Sequence, residues 1–250
     1  MKNVQKTALI APLGLSPPIV TAGTDSAGSG ISDLTIIATT HPGVLAGLDF
    51  IQVAMSIRKK GITIHPEYLP YDDITTTDDN LAFMECAIRL IREARDKHGC
   101  DRVLLNVAGA RKNMSITLAL IGQLMNVDGI FHVGNRNIDL FNKNLELIRR
   151  DIDRIHQAET FRDKQKIYKE KKDLFNHVLF PPKSDYDLVR VPTFPVDQSY
   201  VRNLIVRIRE DPDALPLSEK IILERHKILE KGRTHYYLSD YGTKFLKAFI

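Results

Sequence analysis

Apolar and polar positions follow two alternating periods along the first 140 residues. Short apolar runs at Thr7–Leu13, Leu34–Thr40, Ile62–Leu69, Val103–Val107 and Asp128–Val133 have the length and composition of strands buried on both faces. Helical spacing lies between them. In Pro42–Lys60 the apolar positions are Val44, Leu45, Leu48, Ile51, Val53 and Met55, with Pro42 at the start and Lys59-Lys60-Gly61 at the end. Leu81–Arg95 and Asn113–Met125 repeat the pattern, the second through Met114, Leu118, Ile121 and Met125. This order predicts a Rossmann-like, doubly wound, mostly parallel α/β sheet. One crossover departs from it: Pro17–Gly23 has room for a short helix, and GTDSAGSG over Gly23–Gly30 has the composition of an irregular loop.

The texture changes after residue 138. Asp139–His156 predicts one amphipathic helix, with Leu140, Leu145, Ile148, Ile152 and Ile155 on one face. Thr160–Val178 predicts a second, very basic helix. Pro181, Pro182, Pro192 and Pro195 then give an extended linker, with Leu188–Val191 as a candidate strand. Residues 197–250 divide into a helix (Tyr200–Glu210), a helix (Ser218–Lys231), a turn at Gly232, a strand (Thr234–Leu238) and a last helix capped by Ser239 or Asp240. Three segments are expected: a sheet domain over 1–138, a helical connector and linker over 139–196, and a small terminal domain over 197–250.

Within the sheet domain, two strand ends have the chemistry of an anion site. After Val103–Val107, Ala108-Gly109-Ala110 turns the chain without bulk, Arg111 and Lys112 follow, and the next helix begins near Asn113. Unpaired amides and the positive end of the dipole at such a helix start suit phosphate, and two cations beside them strengthen the site. Thr7–Leu13 ends similarly, at Gly14-Leu15-Ser16-Pro17, where Ser16 is placed to cap a helix opened by Pro17. If the two strands are neighbours in a parallel sheet, both bends lie at its carboxyl edge, where ligands of such sheets bind.

GLSPPIVT after the first strand and AGARKNM after a later one resemble the CARF domains of CRISPR defence systems, and most closely the archaeal ring nucleases that join a CARF domain to a C-terminal winged helix. HYYLSDYGTKFLKAF resembles the wing strand and closing helix of such a domain. The resemblance implies a CARF domain binding a ring of 3′–5′ linked adenylates, cyclic tetraadenylate, across the axis of a homodimer. It implies metal-independent cleavage by a ribose 2′-OH, leaving 2′,3′-cyclic phosphate ends and switching off type III CRISPR signalling. Ser16 would orient a ribose hydroxyl or phosphate oxygen, and Arg111 or Lys112 would stabilise the developing charge. The family also uses a lysine beyond the CARF core, for which Lys169, Lys171 and Lys172 are candidates and Lys172 is preferred. Gly14, Leu15, Pro17, Thr40, Gly109, Ala110, Lys112, Asn113 and Met114 are the expected ligand contacts, with no metal and no cofactor.

Composition adds limits. The 250 residues are 43% hydrophobic and 26% charged, an ordinary soluble balance. No apolar run reaches the ~18 residues of a membrane span, and no signal peptide is read, so a cytoplasmic protein without membrane contact is expected. The net charge of +4 concentrates in residues 140–183, which carry 11 Lys and Arg against 7 Asp and Glu. That favours a local polyanion contact over a broad nucleic-acid surface. Cys86 and Cys100 lack ligand spacing to a second cysteine, and the eight histidines are scattered, which argues against structural zinc. Asp72-Asp73 and Asp78-Asp79 are read as helix-start residues, with Thr77 or Asp78 as the cap, in preference to a magnesium or calcium site.

Three rival readings remain. A CARF transcription regulator would bind DNA through its winged helix; packing is the role favoured here for that domain. The Arg92…His98 and Arg150…His156 spacings match HEPN ribonucleases, but no terminal all-helical domain is predicted to house such a site. The third is an α/β nucleotide-binding protein with no CRISPR role.

Overall fold

A computed structural model describes residues 5–26, 30–59 and 61–249. The chain runs β1 (Thr7–Pro12), α1 (Pro17–Ser26), β2 (Ile31–Ala38), α2 (Pro42–Arg58), β3 (Thr63–Tyr68), α3 (Thr77–Asp96), β4 (Arg102–Asn106), α4 (Lys112–Leu124) and β5 (Gly129–Asn135). The connector follows as α5 (Ile138–Leu147), α6 (Arg149–Gln157), α7 (Phe161–Glu170), α8 (Lys172–Leu179) and β6 (Tyr186–Arg190). The terminal unit is α9 (Gln198–Glu210), α10 (Leu217–Arg225), β7 (Leu229–Lys231), β8 (Tyr236–Leu238) and α11 (Asp240–Lys247).

Six strands form one sheet in the order β3-β2-β1-β4-β5-β6, parallel except for the antiparallel β5–β6 pair. β1 and β4 are hydrogen-bonded neighbours, and the strand order reverses between them. Pro66 is accommodated because β3 is an edge strand. The sixth strand comes from the proline-bounded segment read as linker, and it closes the other edge.

Each face of the sheet has its own core. On one face Leu9, Ala11, Leu34 and Ile36 meet α2 and the connector helices; on the other Ala8, Ile10, Val103 and Leu105 meet α3 and α4. Phe50, Tyr168 and Phe175 join the connector to α2. Phe50 and Phe175 stand edge to face at 5.3 Å between centroids, and the Tyr168 hydroxyl donates to Asn176 Oδ1.

Several boundaries differ from expectation for local reasons. α1 continues through Gly23, Thr24 and Asp25, where a short helix and a loop were expected. Gly23 is needed inside that helix because a Cβ there would lie 2.6 Å from Asn106 Nδ2, and Thr24 Oγ1 donates to Val20 O. The remainder of the expected loop, 27–29, lies outside the described residues. The cap of α3 is Thr76, in a capping box with Asp79, rather than Thr77 or Asp78. The two connector helices are four, interrupted at Ile148 and Lys171. In the terminal unit the second helix stops early: Lys227 takes φ +61, and the chain turns into a β7–β8 hairpin.

The terminal unit has its own small core of Ile208, Leu215, Leu229 and Leu246. It also packs on the sheet domain. Ala248 is buried with the α3–α4 core, Arg92 donates to Phe249 O, and Lys244 pairs with Asp78 at 2.8 Å. The expected packing role therefore has a physical basis in α11 against α3.

Truncating Phe50 to Ala empties the centre of the aromatic cluster that anchors the connector. Urea unfolding should show a loss of about 3–5 kcal/mol; a loss below about 1 kcal/mol would show that the connector is not held there.

Candidate functional site

The site begins with strand pairing. Thr7–Ile10 run parallel to Arg102–Leu105, so both strands end at the same edge. Beyond them the chain folds into two bends that touch: a Cβ added to Gly14 would overlap the Gly109 carbonyl oxygen. Gly109 takes φ +88, in the left-handed region, with an Ile19 methyl 3.0 Å from where its own Cβ would sit. Two glycines are required because two backbones meet.

Asn106, at the end of β4 and 1% exposed, holds this junction. Its Oδ1 accepts from Ala108 N at 3.0 Å, and its Nδ2 donates to Ile19 O at 3.1 Å. One buried amide thus shapes the second bend and ties it to α1, which carries the first.

A cavity of about 230 Å³ opens at this edge, lined by the two bends together with Thr39, His41, Val44, Asp72, Asp73 and Met114. Two helices start here. α2 opens at Pro42, with His41 Nδ1 accepting from Gly43 N at 3.1 Å. α4 opens at Lys112 after Arg111, and Arg111 makes no side-chain cap. Two positive helix ends at one cavity favour an anion.

The Arg111 guanidinium grips Asp73 through Nε to Oδ1 at 3.0 Å and Nη2 to Oδ2 at 2.8 Å. Its side chain is 66% exposed, so the pair contributes at most about 1 kcal/mol. A phosphate offering the same two-pronged geometry can displace Asp73 at small loss. The loop behind Asp73 is tied down by hydrogen bonds. Tyr71 donates to Asp79 O at 3.0 Å, and burial pushes its phenol up. The Thr75 amide, with Thr76, holds the Asp79 carboxyl below its ordinary range.

Of the expected site residues, Gly14, Leu15, Gly109, Ala110, Arg111 and Met114 line this one cavity. Ser16 precedes α1, its carbonyl accepting from Ile19 N, and among the described residues its hydroxyl shows no hydrogen bond. Pro17 is buried against α2, where a Cβ on Gly47 would come within 2.9 Å of its ring. Thr40 is exposed beside the cavity, and its amide donates to Tyr71 O; Thr39 lines the cavity in its place. Asn113 is turned away, donating to Ile74 O and accepting from Met114 N. Lys112 is exposed on the first turn of α4. Lys172 is exposed at the start of α8 and is not among the cavity-lining residues; Lys171 pairs with Asp151.

His41, Asp73 and Asn106 were not anticipated. His41 had a signal, since Pro42 at the first helical position makes residue 41 the cap. Asp73 was noticed only as a carboxylate near a helix start.

This is a Rossmann-like sheet with a cavity between two glycine bends at its switch point, joined to a small helical unit with a β-hairpin. A family model described as CRISPR-associated protein NE0113 matches residues 16–221, and one described as CARF-associated HTH matches residues 198–250. The chain belongs to the CRISPR-associated NE0113 family, and its terminal unit is a CARF-associated helix-turn-helix. No curated protein matches the sequence. Among solved structures, Csm6 of Enterococcus italicus bound to cyclic hexa-2′-fluoro-hexa-dAMP is similar over 98% of this chain at 13% identity, with a TM-score of 0.47. This chain spans 54% of that protein.

Replacing Asn106 with Ala leaves the Ala108 amide without its partner and removes the side-chain bond to the Ile19 carbonyl. Thermal or urea unfolding should show a loss of about 2–4 kcal/mol, and the Ala108 amide should exchange faster with solvent. Unchanged exchange at Ala108 would mean that Asn106 does not set the bend.

Proposed function

We propose that this protein is a metal-independent ring nuclease that binds cyclic tetraadenylate at the Gly14–Gly109 cradle and opens it. The observation that carries the reading is the meeting of the two bends at one cavity lined by Gly14, Leu15, Gly109 and Arg111, with Ser16 next in the chain to that lining, in a chain of a CRISPR-associated family.

The reaction needs little more than positioning and charge. A ribose 2′-oxygen attacks the adjacent phosphorus as the bond to the 5′-oxygen breaks. The 2′-hydroxyl proton leaves, the 5′-oxygen gains one, and a 2′,3′-cyclic phosphate remains. Holding the 2′-oxygen in line supplies much of the acceleration. Ser16 is the group to orient it, and Arg111, released from Asp73, answers the charge developing on the phosphoryl oxygens, with Lys112 beside it. Lys172 is the proposed connector contribution, and it requires α8 or the ligand to bring the two together.

A two-fold ligand calls for a two-fold protein. Ile116 and Leu120, each 61% exposed, form an apolar stripe on α4 next to the cradle, and Leu15 on the first bend is 49% exposed. Pairing two copies through this face would cover the stripe and set two cradles side by side under one ring.

The alternative is a regulator in which the ring alters DNA binding by the helix-turn-helix, and the match over residues 198–250 supports it. α10, the second helix of that unit, has two acidic and two basic residues, and it exposes Leu217 and Ile222. That surface suits a protein contact better than a phosphate backbone. We therefore place the nuclease first.

Purified protein in excess chelator should convert cyclic tetraadenylate to linear products ending in 2′,3′-cyclic phosphate, resolved by chromatography. Ser16→Ala should slow the conversion about tenfold or more, and Arg111→Ala should act similarly. A ring left intact after long incubation, together with salt-dependent, ring-dependent DNA binding, would replace this reading with the regulator.

A further inference from the structure

The amino-terminal edge of the sheet, opposite the cradle, carries a second cluster. Asp33 of β2, His65 of β3 and His98 from the turn between α3 and β4 converge there, and Cys100 of the same turn lies against the other oxygen of Asp33. Ligand atoms of Asp33, His65 and His98 lie within 4.8 Å of one another. His65 Nε2 is 2.9 Å from Asp33 Oδ1, and Cys100 Sγ is 3.5 Å from Asp33 Oδ2. Gly99, at φ +62, turns the chain so that the residues on both sides of it reach Asp33. Asp33 and Cys100 are buried, whereas the imidazoles are half-buried and stack at 4.2 Å, leaving a way in from solvent.

Lys6 and Ser32 meet one side of the carboxylate: Lys6 Nζ is 3.3 Å from Oδ2 and Ser32 Oγ is 2.7 Å from it. The other oxygen faces the imidazoles. Two imidazoles, a carboxylate and a thiol form the donor set of a borderline-soft dication, whereas magnesium and calcium take oxygens. A tetrahedral centre with bonds of about 2.0–2.3 Å holds its ligand atoms about 3.3–3.6 Å apart. The Asp33–Cys100 separation already has that value; the Asp33, His65 and His98 atoms reach it by closing about 1 Å, and Cys100 joins them when its side chain turns from Oδ2 towards the imidazoles.

We propose that Asp33, His65, His98 and Cys100 form a four-ligand zinc site, with Lys6 and Ser32 orienting Asp33 through Oδ2. The zinc–sulfur bond forms as the Cys100 thiol gives its proton to water. The ion fastens β2, β3 and the entry to β4 together, a structural role independent of the proposed ring chemistry. The sequence argument against zinc looked for paired spacings along the chain. These four ligands come instead from three elements that only the sheet brings together.

The full chain, stripped with chelator, is titrated with Co²⁺ and then with Zn²⁺. One Co²⁺ per chain should give the thiolate-to-cobalt charge-transfer band and the visible bands of a tetrahedral centre, both removed by one equivalent of Zn²⁺. The melting temperature should rise by about 5 °C at zinc a hundredfold above its dissociation constant. Cys100→Ser should abolish the charge-transfer band, His98→Ala should weaken binding tenfold or more, and Cys86→Ser should change neither. No band in the unaltered chain, a band surviving Cys100→Ser, or one lost in Cys86→Ser overturns the proposal. The titration of the unaltered chain decides even where a variant folds poorly.

Discussion

The close approach of two glycines, held by one buried amide, is the constraint from which the candidate site of this protein follows. Gly14 and Gly109 belong to different strands and meet without side chains. Asn106 satisfies a backbone donor of one bend and a backbone acceptor of the helix that continues the other. Inside the fold, an amide used at both ends is specific because either end left unpaired would be a buried polar group. The bends keep their relative position by this network, and the cavity between them inherits its shape from it.

The rest of the molecule supports that edge. Parallel pairing of β1 with β4 sets the two strand ends level, and apolar layers on both faces fix the sheet that carries them. α2 and α4 start at the cavity and bring their positive ends there. Asp73 pairs with Arg111, the one lysine or arginine among the described residues lining the cavity, and holds its guanidinium in a defined position. On the far side, α11 of the terminal unit grips α3, and α3 is the helix that follows the loop bearing Asp72 and Asp73. A ligand that pulls Arg111 from Asp73 would act on the loop leading into that helix, which is a short physical route from the cradle to the terminal unit.

Much of this was legible in the sequence because the signals were local. Continuous apolar runs showed five parallel strands, and the small-residue turn before Arg111 and the Gly14-Leu15-Ser16-Pro17 bend marked the two strand ends that meet at the cavity. What was missed depends on distant contacts. Gly23 has loop composition, yet it sits inside a helix, and it is glycine there because Asn106 occupies the space beside it. The breaks at Ile148 and Lys171 lie in sequences that are helical in propensity, with no glycine or proline to announce them. Asp73 reads as a helix-start acid until the fold places it opposite Arg111, 38 residues further on. His65 and His98 look scattered until two strands and a turn bring them to Asp33.

The central claim, that the two bends make one anion cradle, is tested most directly by a crystal structure of the chain with cyclic tetraadenylate. It should place the ring across two copies of the chain, with phosphates against Arg111 and the first amides of α4, Ser16 within hydrogen-bond distance of a ribose or phosphate oxygen, and the guanidinium withdrawn from Asp73. Density for the ring at any other surface, with the Arg111–Asp73 pair intact, would contradict the account.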